Sequence, residues 1–106
     1  MSDKLKIYIL IKDTVPVGHA INCAAHASLA LYLQYRALPL TDEWLRYSFK
    51  KVTCRVSAAD FIYAKGLGGM NKIVITESAL DGEEVAIAFA PCEEWPDFFK
   101  TLQLYK

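Results

Sequence analysis

The chain has 106 residues, of which 54% are hydrophobic and 23% are charged. This composition excludes an intrinsically disordered protein and is sufficient for one domain, residues 1–106, with its own hydrophobic core. Basic and acidic residues number 12 each, so the formal net charge is zero, which argues against a protein that binds by neutralising many nucleic-acid phosphates.

The first part of the chain is predicted to form a strand followed by a long helix. Residues 5–11 are a continuous apolar run rich in β-branched side chains, which is typical of a central strand covered on both faces. This run is too short to cross a membrane, so no membrane partner is expected. Pro16 ends the strand, and an alanine-rich helix is predicted from about Gly18 to Tyr35.

A short second helix and a second strand are predicted next. Thr41 is expected to be the N-cap of a helix that continues through Trp44, Leu45, Tyr47 and Phe49. Residues 52–56 alternate between apolar and polar side chains, which predicts a strand with one wetter face. Ser57 is a suitable cap for a third helix over residues 58–65, which Gly66 ends.

The last part of the chain is predicted to contain two more strands and a final helix. Residues 72–76 and 85–90 are the third and fourth strands, separated by an acidic loop. Pro91 is expected to start the last helix, and Pro96 confines the true start to its own vicinity. Residues 102–105 are expected to form a short edge strand. This order predicts an α/β protein, a three-layer α/β/α sandwich with a mixed sheet of about four strands.

Three cysteines bear on the cellular compartment. Cys23, Cys54 and Cys92 are an odd number and have no C-x-x-C spacing, so neither a disulfide framework nor a zinc ribbon is expected. A reducing, cytoplasmic location is therefore predicted.

Four polar residues share one predicted face of the first helix. His19, Asn22, Cys23 and His26 are spaced i, i+3, i+4 and i+7. A single metal ion is not expected between imidazoles that lie about 10 Å apart along the helix axis. A Cys23–His26 nucleophilic pair would lack an orienting group visible in the sequence. His26 is expected to be half-buried against a backbone carbonyl, and a binding or proton-transfer role stays open for His19.

The start of this helix is also a candidate anion site. The free N–H groups of Val17, Gly18 and His19 would point outward there. No dinucleotide-binding or Walker-type loop accompanies them, and the glycines of residues 66–69 are interpreted as a turn, so no cofactor is expected.

Two acidic residues follow predicted strands. Asp13 comes after the first strand, and Glu77, followed by Ser78, comes after the third. Ligands of open α/β sheets usually bind at the carboxyl ends of the strands. If these strands are neighbours, Asp13, His19 and Glu77 converge, and a carboxylate with an imidazole can activate a water molecule. Alternatively, Glu77 is one of several acidic residues on a solvated hairpin.

Several short motifs then follow one another in a characteristic order. They are Lys12-Asp13 at the end of the first strand, Gly18 in the turn, A-A-H-A at residues 24–27, Glu77, V-A-I-A-F-A-P at residues 85–91, E-E at 93–94 and L-Q-L-Y near the end. This order resembles the type II peptidyl-tRNA hydrolase family over nearly the whole chain. The segment V-P-V-G-H-A-I-N-C-A-A-H, residues 15–26, resembles uncharacterised relatives with that fold even more closely.

The resemblance implies a cytosolic homodimer that hydrolyses the ester between a peptide and tRNA, which makes tRNA a possible partner despite the zero net charge. Matched by position, the family's lysine becomes His19, its glutamine becomes Cys23 and its aspartate becomes Glu77, whereas its helix histidine is kept as His26. The predicted catalytic residues are His19, Glu77 and Asp13. The predicted substrate-binding residues are Gly18, Asn22, Cys23, His26 and Ser78.

The substitutions at these positions support a second hypothesis. His19 replaces a permanent positive charge, and Val17 stands where the family commonly has lysine. A domain that keeps the fold but binds a small molecule or a protein, without catalysis, is therefore the alternative to an ester hydrolase.

Overall fold

A five-stranded mixed sheet is the centre of the computed structural model, which describes residues 5–106. The strands are β1 (Lys6–Lys12), β2 (Lys50–Val56), β3 (Lys72–Glu77), β4 (Glu83–Cys92) and β5 (Gln103–Leu104), in the order β3-β4-β1-β2-β5. β1 is parallel to β2 and antiparallel to β4, and β4 is antiparallel to β3. Consequently β1, β2 and β3 run in the same direction and end at one edge of the sheet, here called the carboxyl edge.

Helices lie on both faces of the sheet. They are α1 (Val17–Tyr35), α2 (Pro39–Glu43), α3 (Ala58–Lys65) and α4 (Asp97–Lys100), together with a π turn (Trp44–Ser48) directly after α2 and a 3₁₀ turn (Ser78–Leu80) after β3. α1 packs on β4, β3 and β1, whereas α3 packs on β1, β4 and β2. No helix within residues 5–106 combines the length and the apolarity needed to cross a membrane.

The buried side chains of β1 divide between two cores. Ile7, Ile9 and Ile11 face α1, and Tyr8 and Leu10 face α3 and α4. Both faces of β1 are therefore covered, as its continuous apolar sequence predicts. Each fully buried aliphatic side chain contributes about 1.5 to 3 kcal/mol through removal of apolar surface from water.

The predicted α/β class is confirmed, and the sheet has one strand more than the four expected. The additional strand is β5, which pairs with Cys54 and Arg55 of β2 at the edge where residues 102–105 were expected to lie. α1 and α3 also begin and end within a residue of their predicted bounds.

Two predicted helix starts are wrong. α2 begins at Pro39, because proline lacks only an N–H that the first helical turn leaves unbonded, so Thr41 lies inside the helix rather than capping it. Thr41 is buried, and its hydroxyl has no hydrogen-bond partner among the described residues. Pro91 is a buried residue of β4, next to the register shift between Lys6 and Tyr8, where a strand tolerates proline. The last helix begins directly after Pro96, near which its true start was expected.

Candidate functional site

At the carboxyl edge, α1 brings Cys23 against Glu77 of β3. Cys23 is 1% exposed, and its Sγ donates a long hydrogen bond to Glu77 Oε2 at 3.9 Å. The other carboxylate oxygen accepts the N–H of Ala79 at 3.0 Å and so caps the 3₁₀ turn. Burial, and secondarily the charge of Glu77, raises the pKa of the Cys23 thiol above its ordinary value of 9.0. The thiol is therefore protonated at neutral pH and is a poor nucleophile.

The polar stripe predicted on α1 lies at the border of the buried face. Ala20, Ala27 and Leu31 occupy that face together with Cys23. His19 is half-buried one turn before Cys23, whereas Asn22 and His26 are exposed. The expectation that His26 is half-buried is therefore wrong, because its position turns it past the border into solvent.

Asp13 lies in a different part of the carboxyl edge. Its backbone N–H donates to Val56 O at 2.8 Å. Its side chain lines a polar cavity of about 560 Å³ with Arg55, Ser57 and Asp60. β4 lies between β1 and β3, so the two strands that precede Asp13 and Glu77 are not neighbours.

The three predicted catalytic residues are thus only partly assembled. Within residues 5–106, no hydrogen bond or ion pair joins Asp13, His19 and Glu77 to one another. Gly18 and Ser78, two of the predicted substrate-binding residues, are exposed at the same edge. In this part of the chain no three His, Cys, Asp or Glu side chains are arranged to hold a metal ion.

An apolar cleft of about 460 Å³ lies on the other flank of α1, between this helix and β2. Its floor contains Ile9 and Thr53 of the sheet. One wall is formed by α1 and the other by the π turn and the residue after it. We call this feature the α1–β2 cleft.

The cleft exists because α1 packs mainly on β1, β3 and β4 and leaves β2 uncovered on this face. The register of β1 with β2 places Lys51 beside Ile7 and Thr53 beside Ile9, so both face the same side as α1. The α1 residues along this flank are mostly small (Ala24, Ala25 and Ser28), which leaves space between the helix and the strand.

The far wall is held by Trp44 and Phe49. The Trp44 Nε1–H donates to Lys50 O at 2.7 Å, and the backbone N–H of Phe49 donates to Trp44 O at 2.6 Å. Phe49 has φ of 59°, in the left-handed region that bulky residues rarely adopt. Its ring lies 5.3 Å from the Trp44 ring, centroid to centroid. The strained backbone at Phe49 thus directs an aromatic side chain to the cleft.

Lys51 lies at the mouth of the cleft. Its Nζ donates to Phe49 O at 3.1 Å and lies over the Phe49 ring, 3.1 Å from the centroid, and over the Trp44 ring at 5.4 Å. Burial lowers the pKa of Lys51 below its ordinary value of 10.5. Among the described residues, no carboxylate forms an ion pair with it.

Sequence reasoning did not identify this cleft, although one signal was present. The alternation in β2 predicts a wetter face, and that face is the floor and the mouth of the cleft. The prediction that the second helix continues through Phe49 is wrong, because α2 ends at Glu43 and Phe49 has a left-handed backbone, and this error concealed the role of Trp44 and Phe49. No protein-family model and no curated protein matches the sequence.

Proposed function

We propose that this domain binds a small, largely apolar molecule in the α1–β2 cleft. The observation that carries the proposal is the cleft itself, with a volume of about 460 Å³ and walls of aliphatic and aromatic side chains. Pockets that hold small molecules have this size and composition, with a few polar groups that orient the ligand. Here the hydroxyls of Ser28, Tyr32 and Thr53 and the ammonium of Lys51 are those groups.

The conformation of Phe49 supports the same function. A left-handed backbone at a bulky residue costs about 1 to 3 kcal/mol, and such strain is concentrated at binding and catalytic sites. Phe49 is 54% exposed although it is a large apolar residue. A ligand in the cleft would cover this ring and so offset part of the cost.

Filling the cleft should abolish binding. The neutral dye N-phenyl-1-naphthylamine becomes fluorescent in an apolar site, and its titration reports occupancy directly. Ala25 is an exposed alanine in the α1 wall, so Ala25→Phe should weaken dye binding by about tenfold or more without disturbing the core. Ala59→Phe is the matched control, because Ala59 is an exposed alanine of α3 in the opposite layer.

The control variant should bind the dye as the unaltered protein does, and both variants should retain its thermal unfolding midpoint. Equal dye affinity in all three proteins, or no saturable fluorescence in the unaltered protein, would contradict the proposed function.

A second candidate, hydrolysis of a peptidyl-tRNA-type ester, is favoured by the Cys23–Glu77 contact, with His19 one turn away. In this reaction Glu77 takes a proton from water and the resulting hydroxide attacks the carbonyl carbon. The C–O bond to the sugar oxygen then breaks, and the proton held by Glu77 passes to that leaving oxygen, giving the free carboxylic acid and the sugar hydroxyl. His19 positions that oxygen, and Asp13 acts from the neighbouring cavity. Glu77 Oε2 has no backbone donor and accepts only the long hydrogen bond from Cys23 Sγ among the described residues, so this oxygen is the proposed base.

This candidate predicts that Glu77→Gln stops the release of peptide from a model peptidyl-tRNA. Glu83→Gln is the matched control, since Glu83 is an exposed glutamate that follows the same turn. It should leave the rate within about twofold of that of the unaltered protein, because exposed charges contribute little. Absence of peptide release by the unaltered protein at every salt concentration would rule this candidate out.

The type II peptidyl-tRNA hydrolase-like fold, the homodimer, the tRNA partner and the cytoplasmic location belong to this second candidate as proposals. The order of strands and helices in the α/β domain supports the fold assignment. Exposed Ile21, Leu29 and Leu33 of α1 support self-association. The three free thiols support a reducing compartment. Leu29 also lines the α1–β2 cleft, so dye binding should be measured in dilute protein.

A further inference from the structure

Charge is distributed unevenly in the α1–β2 cleft. Lys51 is the one charged residue among those of the described chain that line it, and no acidic side chain lines the cleft. In the elements beside the cleft, Asp42 of α2 pairs with Arg46 of the π turn at 3.0 Å. The mouth of the cleft is therefore positive while its interior is apolar.

The ammonium of Lys51 is only partly compensated by the protein. One backbone carbonyl and two ring faces contact it, and both kinds of contact are weaker than a pairing with an anion. Lys51 is exposed at the mouth of the cleft, and the apolar groups beside its ammonium remove part of its hydration and lower its pKa. A negatively charged group at this position would replace the interactions with water that the ammonium loses.

The other residues that line the cleft determine which kind of ligand body it can accept. Between Ala24 and Ala25 on one side and Trp44 and Leu45 on the other, the walls present hydrocarbon and ring surface. These walls favour an aliphatic or aromatic body and disfavour a second charge, because a buried charge without a partner is costly. One cation at the mouth matches one anionic group, so a polyanion does not fit.

We propose that the ligand of the α1–β2 cleft is a small amphipathic monocarboxylic acid. Its carboxylate pairs with Lys51 at the mouth, and its apolar body lies between α1 and the π turn. This inference rests on the proposed binding function and adds the chemical class of the ligand.

Three ligands that share a ten-carbon chain and differ in their head group test the contribution of the head group separately from that of the apolar body. Decanoate, decanol and decyltrimethylammonium are compared, below their micelle concentrations, as competitors of bound N-phenyl-1-naphthylamine. Decanoate should displace the dye at a concentration about tenfold lower than decanol, and the cationic ligand should be the weakest. Added salt should weaken decanoate but not decanol, because it screens the partly exposed charge pair.

Lys51→Met keeps an apolar stem and removes the charge, so decanoate should lose its advantage while decanol binds as before. Lys100→Met is the matched control, since Lys100 is an exposed lysine of α4 that pairs with Asp97. It should keep the full preference for decanoate. Unchanged decanol binding in Lys51→Met shows that the cleft is intact.

Two results would overturn the inference while leaving cleft binding in place. They are equal displacement by decanoate and decanol in the unaltered protein, and a preference for decanoate that survives Lys51→Met. Failure of the dye itself to bind would instead overturn the proposed function. The salt series with the unaltered protein tests the charge pair even if Lys51→Met does not fold.

Discussion

At the scale of single residues, the three thiols differ in how deeply they are buried. Cys54 is 1% exposed in the core between the sheet and α3, and burial raises its pKa to about 11. Burial and Glu77 also raise the pKa of Cys23, and burial raises the pKa of Cys92, which is only half-buried, against the opposing effect of its hydrogen bond to Glu94 O. None of these environments lowers a thiol pKa toward neutrality, so covalent catalysis by cysteine has no support in this part of the chain.

The raised pKa of Cys54 predicts a loss of stability in alkali. The folded state favours the protonated thiol, so this stabilisation is complete below the ordinary pKa of 9.0 and is lost as the pH rises toward about 11. The full loss is about 2 to 3 kcal/mol for a shift of this size. Cys54→Val cannot ionise, so its free energy of unfolding in urea should fall less between pH 8 and pH 10.5 than that of the unaltered protein.

Cys92→Val is the control, because Cys92 is the most accessible of the three thiols. It should follow the unaltered protein more closely than Cys54→Val does. A fall of the same size in the Cys54→Val variant and the unaltered protein would show that the Cys54 thiol does not couple to folding.

At the scale of elements, local chemistry determined which predictions succeeded. α3 is bounded by Ser57, whose Oγ accepts the N–H of Asp60 at 3.1 Å, and by Gly66. Both signals act within four residues, so they can be recognised in the sequence. The π turn has no comparable signal, because the left-handed backbone of Phe49 depends on the packing of Trp44 and the start of β2.

The cap of α3 predicts a measurable loss. Ser57→Ala removes a side-chain acceptor from an N–H that the helix itself does not satisfy, which should reduce the free energy of unfolding by about 1 kcal/mol. Ser78→Ala is the matched control, because Ser78 is exposed and its hydroxyl donates no hydrogen bond within residues 5–106. Its effect should lie within about 0.5 kcal/mol, and an equal loss in both variants would argue against a capping role for Ser57.

At the scale of the whole molecule, the features that the sequence could not predict are those that depend on contacts between residues far apart in the chain. Hydrophobic patterns identified most strands and the layers, but the insertion of β4 between β1 and β3 depends on pairing across the chain. That insertion separates the strands that precede Asp13 and Glu77, so the condition on which these residues were expected to converge is not met. The α1–β2 cleft depends on how far α1 extends across the sheet, which periodicity along the helix does not specify.

The position of β4 also has a consequence for biosynthesis. β1 is bonded to β4 on one side and β3 is bonded to β4 on the other, yet β4 follows both in the chain. While the ribosome is still making residues 83–92, the nascent polypeptide holds two apolar strands that lack their shared partner. Pairings between residues far apart in sequence form slowly, and exposed strand edges invite association with other chains. Until β4 emerges, β1 and β3 therefore each present an unpaired edge, which a chaperone would protect.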